Sequence, residues 1–357
     1  MPLQSSKLML LAARREGYGV GAFNAYNMEM AQAIVEAAEE ERAPVILQVS
    51  LGTIQHAGLE VAAALVKTLA ARASVPVVLH LDHGTDFAVN IRCLREGFTS
   101  LMYDGSESLL RAYREKTGIK NPPFETVVEM VQSREAFEEN VRVTRMVVEA
   151  ARACGVPVEA ELGRIPRLEE FAESRDDPAG TGKPGKKPYP GAGAPGGRLP
   201  PETQARVARL CASPDRAAEF VELTGCDSLA AACGSVHGMK EDVQPLNLDL
   251  VGEIASLTGI PLVLHGSSGV VRTREEAHSR DLPLAPHEGS VVDGIARGIA
   301  KVNVSTELQA TYLEAVREHL ERSPTVKDVR KVFNFAREAL TEKVRSYIRL
   351  FGSSGKA

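Results

Sequence analysis

Eight short apolar runs punctuate the chain, most of them stopping at a Gly, Ser, Asn, Asp or His. They are GVGAFN (19–24), APVILQVS (43–50), VPVVLHLDH (75–83), TSLMYDG (99–105), VPVEAELG (156–163), CDSLAAACGSVHG (226–238), IPLVLHGSSG (260–269) and IAKVNVST (299–306). Their apolar positions are continuous rather than alternating, the pattern of parallel strands buried on both faces. Amphipathic stretches with helical spacing lie between them, as at 28–41, 63–73 and 137–154. Eight strand–helix alternations predict an α/β fold, a (β/α)8 TIM barrel, where five or six would favour an open doubly wound sheet.

Three connections exceed simple loops: 106–136 after strand 4, 164–225 after strand 5 and 270–298 after strand 7. Within the second, residues 178–201 hold seven glycines and seven prolines in 24 positions. Such a stretch cannot bury enough apolar surface to fold alone, and reads as a mobile insertion or as a lid at the end of a strand. The 357 residues would suit about two domains by length. The strand count makes them one barrel domain spanning 1–357, with the excess in three loops.

Composition narrows the function. The 42 basic and 47 acidic residues give a net charge of −5, which argues against a nucleic-acid partner held by a basic face. Five cysteines without CxxC spacing argue against a disulfide framework or a cysteine zinc site and favour a reducing, cytoplasmic location. No signal peptide is evident and no apolar run reaches 18 residues, so no membrane span is expected.

Catalytic groups in a barrel sit where strands end. Strand 3 ends in Asp82-His83, strand 6 in His237-Gly238 and strand 7 in His265-Gly266. Any one of these histidines alone is readily a structural residue. Three imidazoles on one face can hold Zn²⁺ with an open position for substrate. His80 shares a strand face with Asp82 and reads as a structural group or as the partner of a ligand. Asp82 is expected on the opposite side of the strand from His83, either as a general acid/base or as a cap for the next helix. Glu159 and Glu161 share a face and need a metal, a ligand or a salt bridge as partner. GSSG after strand 7 and Asn303-Val304-Ser305-Thr306 after strand 8 suit phosphate binding through backbone N–H groups and small hydroxyls. A reaction that left a carbanion beside a carbonyl would need a lysine Schiff base or a metal to take up the charge. Lys301 is the one lysine expected near the barrel interior, against three converging histidines.

The segments 19–50, 76–84, 158–165, 234–240, 261–269, 301–308 and 349–357 together resemble the class II, zinc-dependent fructose-1,6-bisphosphate aldolases and the related tagatose-bisphosphate aldolases. The resemblance spans the chain in order. It implies a cytoplasmic glycolytic lyase acting on a phosphorylated sugar, assembled as a homodimer or homotetramer. It also implies a catalytic zinc on His83, His237 and His265, with Glu161 at an alternative metal position. Asp82 would exchange the proton of the C4 hydroxyl, and Glu169 would take a proton from dihydroxyacetone phosphate in the condensing direction. Gly238, Gly266, Ser268, Ser305 and Thr306 match the phosphate cradle, with a monovalent cation (Na⁺ or K⁺) beneath it. Asn303 matches a residue touching the enediolate, and Asn24 and Ser50 match residues lining the sugar site.

The chain departs from the family pattern in three places. Pro166-Arg167 replaces a Gly-Gly hinge before Glu169, Ser305 stands where Asp is common, and Gln309 stands where a basic residue meets the distal phosphate. Arg330 is the candidate substitute for that basic residue. Two further readings stay open on these departures: another phosphorylated ketose as substrate, such as tagatose 1,6-bisphosphate, or a relative that binds sugar phosphate without turnover.

Overall fold

A computed structural model describes residues 3–171, 197–239 and 243–357. Most of the 178–201 insertion lies outside the described residues. The eight expected strands all form: β1 Val20–Asn24, β2 Val45–Ser50, β3 Val77–Asp82, β4 Leu101–Tyr103, β5 Val158–Leu162, β6 Ser228–Ala231, β7 Leu262–Leu264 and β8 Ile299–Val304. They pair in parallel in the order β3-β2-β1-β8-β7-β6-β5-β4. The seam between β3 and β4 closes through the bridges His80–Ser100 and Gly84–Tyr103, with Leu81 N donating to Ser100 O at 3.1 Å. The result is a (β/α)8 barrel. Its strands are buried on both faces, because helices cover the outer face and side chains fill the interior.

The interior is layered by the two-residue period of a strand. Val20, Ala22, Ile46, Val78 and Ala300 form an apolar floor against Leu10 and Ala13 of the N-terminal helix Ser6–Glu16. Above the floor the inward positions turn polar. Gln48, His80, Glu159 and Lys301 are all at most 2% exposed. Asn24, Asp82, Glu161, His265 and Asn303 come next, close to the C-terminal rim. Polarity thus rises along the barrel axis toward the C-terminal rim.

The long connections carry their own structure. Residues 106–136 fold into the helices Gly105–Thr117 and Phe124–Gln132, followed by Arg134–Ala153. The connection after β7 holds the short helix Arg274–Ser279, and a two-residue ladder joins Leu246–Asn247 to Glu288–Gly289. The C-terminal helix Val329–Leu350 packs its apolar stripe on the helices Met28–Glu40 and Thr306–Arg322. The five cysteines are free thiols. Among the described residues no helix is long and apolar enough to cross a membrane.

Candidate metal centre and phosphate cradle

At the C-terminal end of the barrel lies a cavity of about 1040 Å³. Asp82, His83, His237 and His265 face it, as do Asn24, Ser50 and Glu169. Gly238, Gly266, Ser268, Asn303, Ser305 and Thr306 line its other wall. Glu161 sits beneath the cavity, 1% exposed. Arg330 is not brought to it: its guanidinium closes on Asp328 and its side chain is 83% exposed.

Two local expectations are corrected. β6 ends at Ala231, so His237 stands six residues beyond the strand, on a loop. Parallel bridging to the β5 loop fixes that loop, with His237 N donating to Pro166 O at 2.8 Å and Leu168 N donating to His237 O at 2.9 Å. Asp82 and His83 do not point to opposite sides. His83 lies past the strand end with φ +53°, a left-handed conformation that breaks the alternation and returns its ring to the cavity, 3.9 Å from Asp82. The capping alternative for Asp82 also falls away, because Asp86 caps the following helix Phe87–Arg95.

The three imidazoles meet edge to face, with ring centroids 4.6 Å apart for His83–His265, 5.4 Å for His83–His237 and 5.8 Å for His237–His265. One nitrogen of each lies within 4.8 Å of the others. Gly266 makes this approach possible. It adopts φ +65°, and a Cβ there would stand 2.9 Å from the backbone carbonyl of Val236.

Carboxylates hold two of the rings from behind. His83 Nδ1 donates to Asp104 Oδ2 at 2.7 Å, leaving Nε2 toward the cavity. His265 Nε2 donates to Glu159 Oε1 at 2.9 Å, leaving Nδ1 3.0 Å from His83 Nε2. Such pairs fix the tautomer and direction of a metal-binding histidine. A second donor group, His83, Asp104 and Glu161, lies deeper.

Burial, with His83 as the next contributor, holds His237 and His265 well below the ordinary imidazole range, so their nitrogens are neutral donors. Burial opposes a charge on His83 too, but Asp82, Asp104 and Glu161 outweigh it and hold its pKa up at about 10. Of the three imidazoles, His83 is therefore the one that holds a proton in the metal-free chain. Burial, reinforced by Asp104, pushes the Glu161 carboxyl up.

Buried polar atoms normally have partners. Here His237 Nε2, Asp82 Oδ1, Glu161 Oε2 and Asn303 Oδ1 are buried with no hydrogen-bond partner. Orphaned lone pairs around three neutral or carboxylate-paired imidazoles fit a divalent cation, and the all-nitrogen triad fits zinc. Asp82 keeps one oxygen on Asn24 Nδ2 at 2.7 Å, and Gln48 steadies Asn24 at 2.9 Å. Its other oxygen is available to a ligand.

The Schiff-base alternative fails on position. Lys301 is 1% exposed beneath the cavity, with Nζ 2.7 Å from Glu159 Oε2. Glu169 and Glu170 also separate. Arg164, 2% exposed, binds Glu170 at 2.6 Å, while Glu169 is exposed at the cavity rim. Sequence reasoning missed Asp104, Arg164, and Tyr26, whose hydroxyl lies 2.8 Å from Ser305 Oγ. Asp104 could have been noticed as the acidic residue closing the β4 run.

The family model for class II fructose-bisphosphate aldolases matches residues 4–356. The chain is 38% identical over 356 residues to the fructose-bisphosphate aldolase of Thermus caldophilus, covering 98% of each. It is 37% identical to the fructose-bisphosphate aldolase of Geobacillus stearothermophilus, covering 100% of this chain and 99% of that one. Among solved structures it is similar to the YdjI aldolase of Escherichia coli, with a TM-score of 0.68, 28% identity and 99% of both chains covered.

Proposed function

The chain belongs to the class II fructose-bisphosphate aldolases, a family of carbon–carbon lyases, and on that premise we propose that it cleaves fructose 1,6-bisphosphate reversibly with zinc held by His83, His237 and His265. The products are dihydroxyacetone phosphate and glyceraldehyde 3-phosphate. The observation that carries the reading is the triad of imidazole nitrogens within 4.8 Å beside the orphaned Oδ1 of Asp82.

A divalent ion bound there supplies Lewis acidity to the carbonyl oxygen of the substrate. The remaining work belongs to side chains of this protein. Asp104 and Glu159 hold His83 and His265 in the tautomers that leave one nitrogen each for the metal. Asp82 Oδ1 takes the proton of the C4 hydroxyl in cleavage and returns it in condensation, and Asn24 keeps that carboxylate in place. Glu169 exchanges the C3 proton of dihydroxyacetone phosphate from the rim. Gly238, Gly266, Ser268, Ser305 and Thr306 would cradle the phosphate of the three-carbon half, and a sodium or potassium ion held there would add positive charge for it. Asn303 would touch the enediolate, with its amide Nδ2 as the group able to donate to a negatively charged oxygen. Ser50 combines two tasks, lining the sugar site and capping the helix Leu51–Ala57. Glu161 offers an alternative metal position with Asp104 and His83.

Three arginines line the cavity. Arg111 is engaged by Asp86 and Arg164 by Glu170, so we assign the second phosphate to Arg167 in place of Arg330. We place the enzyme in the cytoplasm as a homodimer or homotetramer.

Purified protein stripped with EDTA and reloaded with zinc should release triose phosphate from fructose 1,6-bisphosphate only after reloading. Its kcat/KM for this substrate should exceed that for tagatose 1,6-bisphosphate. Equal rates with and without metal would defeat the metal assignment. Binding of dihydroxyacetone phosphate with no C3 proton exchange would identify a relative that binds without turnover.

A further inference from the structure

Below the histidines runs a buried polar line of which the proposed chemistry uses only Glu159. Lys301 is its centre, with Nζ donating to Glu159 Oε2 at 2.7 Å and to His80 Nε2 at 3.2 Å. His80 Nδ1 lies 2.8 Å from Ser100 Oγ, which also accepts from Ser6 Oγ at 2.9 Å. At the other end Glu159 Oε1 accepts from His265 Nε2. The line thus connects the rim of the barrel to the helix that closes its floor.

We propose that Lys301 is a positioning residue for the metal site, acting on His265 through Glu159. The inference rests on reading His265 as a metal ligand. A buried ammonium is costly unless paired, and the neighbour of Lys301 in register on β1 is the apolar Val20. The ion pair with Glu159 divides that carboxylate between two tasks. Oε2 is held by Lys301, so Oε1 stands under His265 and can only accept. His265 must then carry its proton on Nε2 and present Nδ1 upward to the site. His80 is the competitor. Its Nε2 is already 3.8 Å from Glu159 Oε2, and Lys301 stands between them as donor to both. Without the ammonium, His80 can turn a proton toward Glu159 and draw the carboxylate down from His265.

The test compares Lys301→Met, Lys301→Gln, Glu159→Gln and the double variant Lys301→Met/Glu159→Gln, each stripped of metal and titrated with zinc against a chromogenic chelator. Cobalt substitution supplies a visible spectrum of the ligand field. Lys301→Met should weaken zinc binding about 10–100-fold, the range for loss of an orienting partner. The double variant should bind no more weakly than Glu159→Gln alone, because Lys301 acts only through that carboxylate. Lys301→Gln, which keeps a donor and the volume, should fall between wild type and Lys301→Met. It also serves if the methionine variant does not fold. Wild-type affinity in both Lys301 variants, or additive losses in the double variant, overturns the proposal. If instead His265→Ala binds zinc as tightly as wild type, the ligand assignment itself is wrong, and the two failures are told apart.

Discussion

His83 and Asp104 are joined across the β3–β4 seam by a 2.7 Å hydrogen bond from Nδ1 to Oδ2. Asp104 has a second task, since its Oδ1 accepts from Glu107 N at 2.9 Å and caps the helix Gly105–Thr117. Replacing it with Asn separates the two. Asn caps a helix as well as Asp does, but brings no negative charge to His83. Asp104→Asn should therefore melt within a few degrees of wild type in the metal-free state and bind zinc about 10–100-fold more weakly. Unchanged zinc affinity would show that the carboxylate does not set the basicity of His83.

Asp82 and Glu169 act on different protons in the proposed reaction, so their variants should divide it. Asp82→Ala should lower the cleavage rate by about 10²- to 10⁴-fold, the usual contribution of a general acid/base. It should still exchange the C3 proton of dihydroxyacetone phosphate with solvent deuterium, followed by NMR. Glu169→Ala should lose exchange and cleavage together. Retained exchange in Glu169→Ala would transfer that task to another base.

These pairs explain what could be read in the sequence. The strands were legible because burial on both faces forces continuous apolar runs, and the histidines were legible because His83 and His265 follow those runs directly. The sequence puts His237 at the end of a strand, whereas it stands on a loop that brings it to the other two rings. Five loop residues separate it from β6, and the bridge to Arg167 that holds it is a long-range contact. The left-handed φ of His83 is equally silent in the sequence, since it arises where the strand must turn over the rim. Asp104 and Lys301 were visible as letters, but their partners come from other strands, and nothing local indicates a histidine or a glutamate opposite.

Arg167 stands where the family resemblance implies a hinge glycine, and it lines the cavity with no side-chain hydrogen bond or ion pair among the described residues. Two roles predict different kinetics. A phosphate ligand contributes mainly to binding, so Arg167→Gly should raise KM for fructose 1,6-bisphosphate about 10- to 100-fold with little change in kcat, as expected for a charged hydrogen bond of about 1.5–3 kcal/mol. A residue that merely stiffens the loop would leave KM alone and change kcat. Arg167→Lys should recover part of the affinity only in the first case.

Glu41 ties the C-terminal segment to the body of the protein, and its ion pairs make part of the stability pH-dependent. Its carboxylate accepts from Arg349 at 2.6 Å, Arg345 at 2.9 Å and Ser354 Oγ at 2.9 Å, while its backbone carbonyl accepts from Gly355 N at 2.9 Å. The Arg349 hydrogen bond, with help from Arg345 and Ser354, lowers its pKa from 4.5 to about 2. The folded value lies below the unfolded one, so the stabilisation is fully present above pH 4.5 and is lost as pH falls toward 2. Glu41→Gln lacks it at every pH. The melting temperature of the variant should therefore lie below that of wild type at neutral pH, and the gap should narrow steadily between pH 4.5 and 2. A gap that stays constant across that window would mean that shape and packing at Glu41, not its charge, hold the C-terminal segment in place.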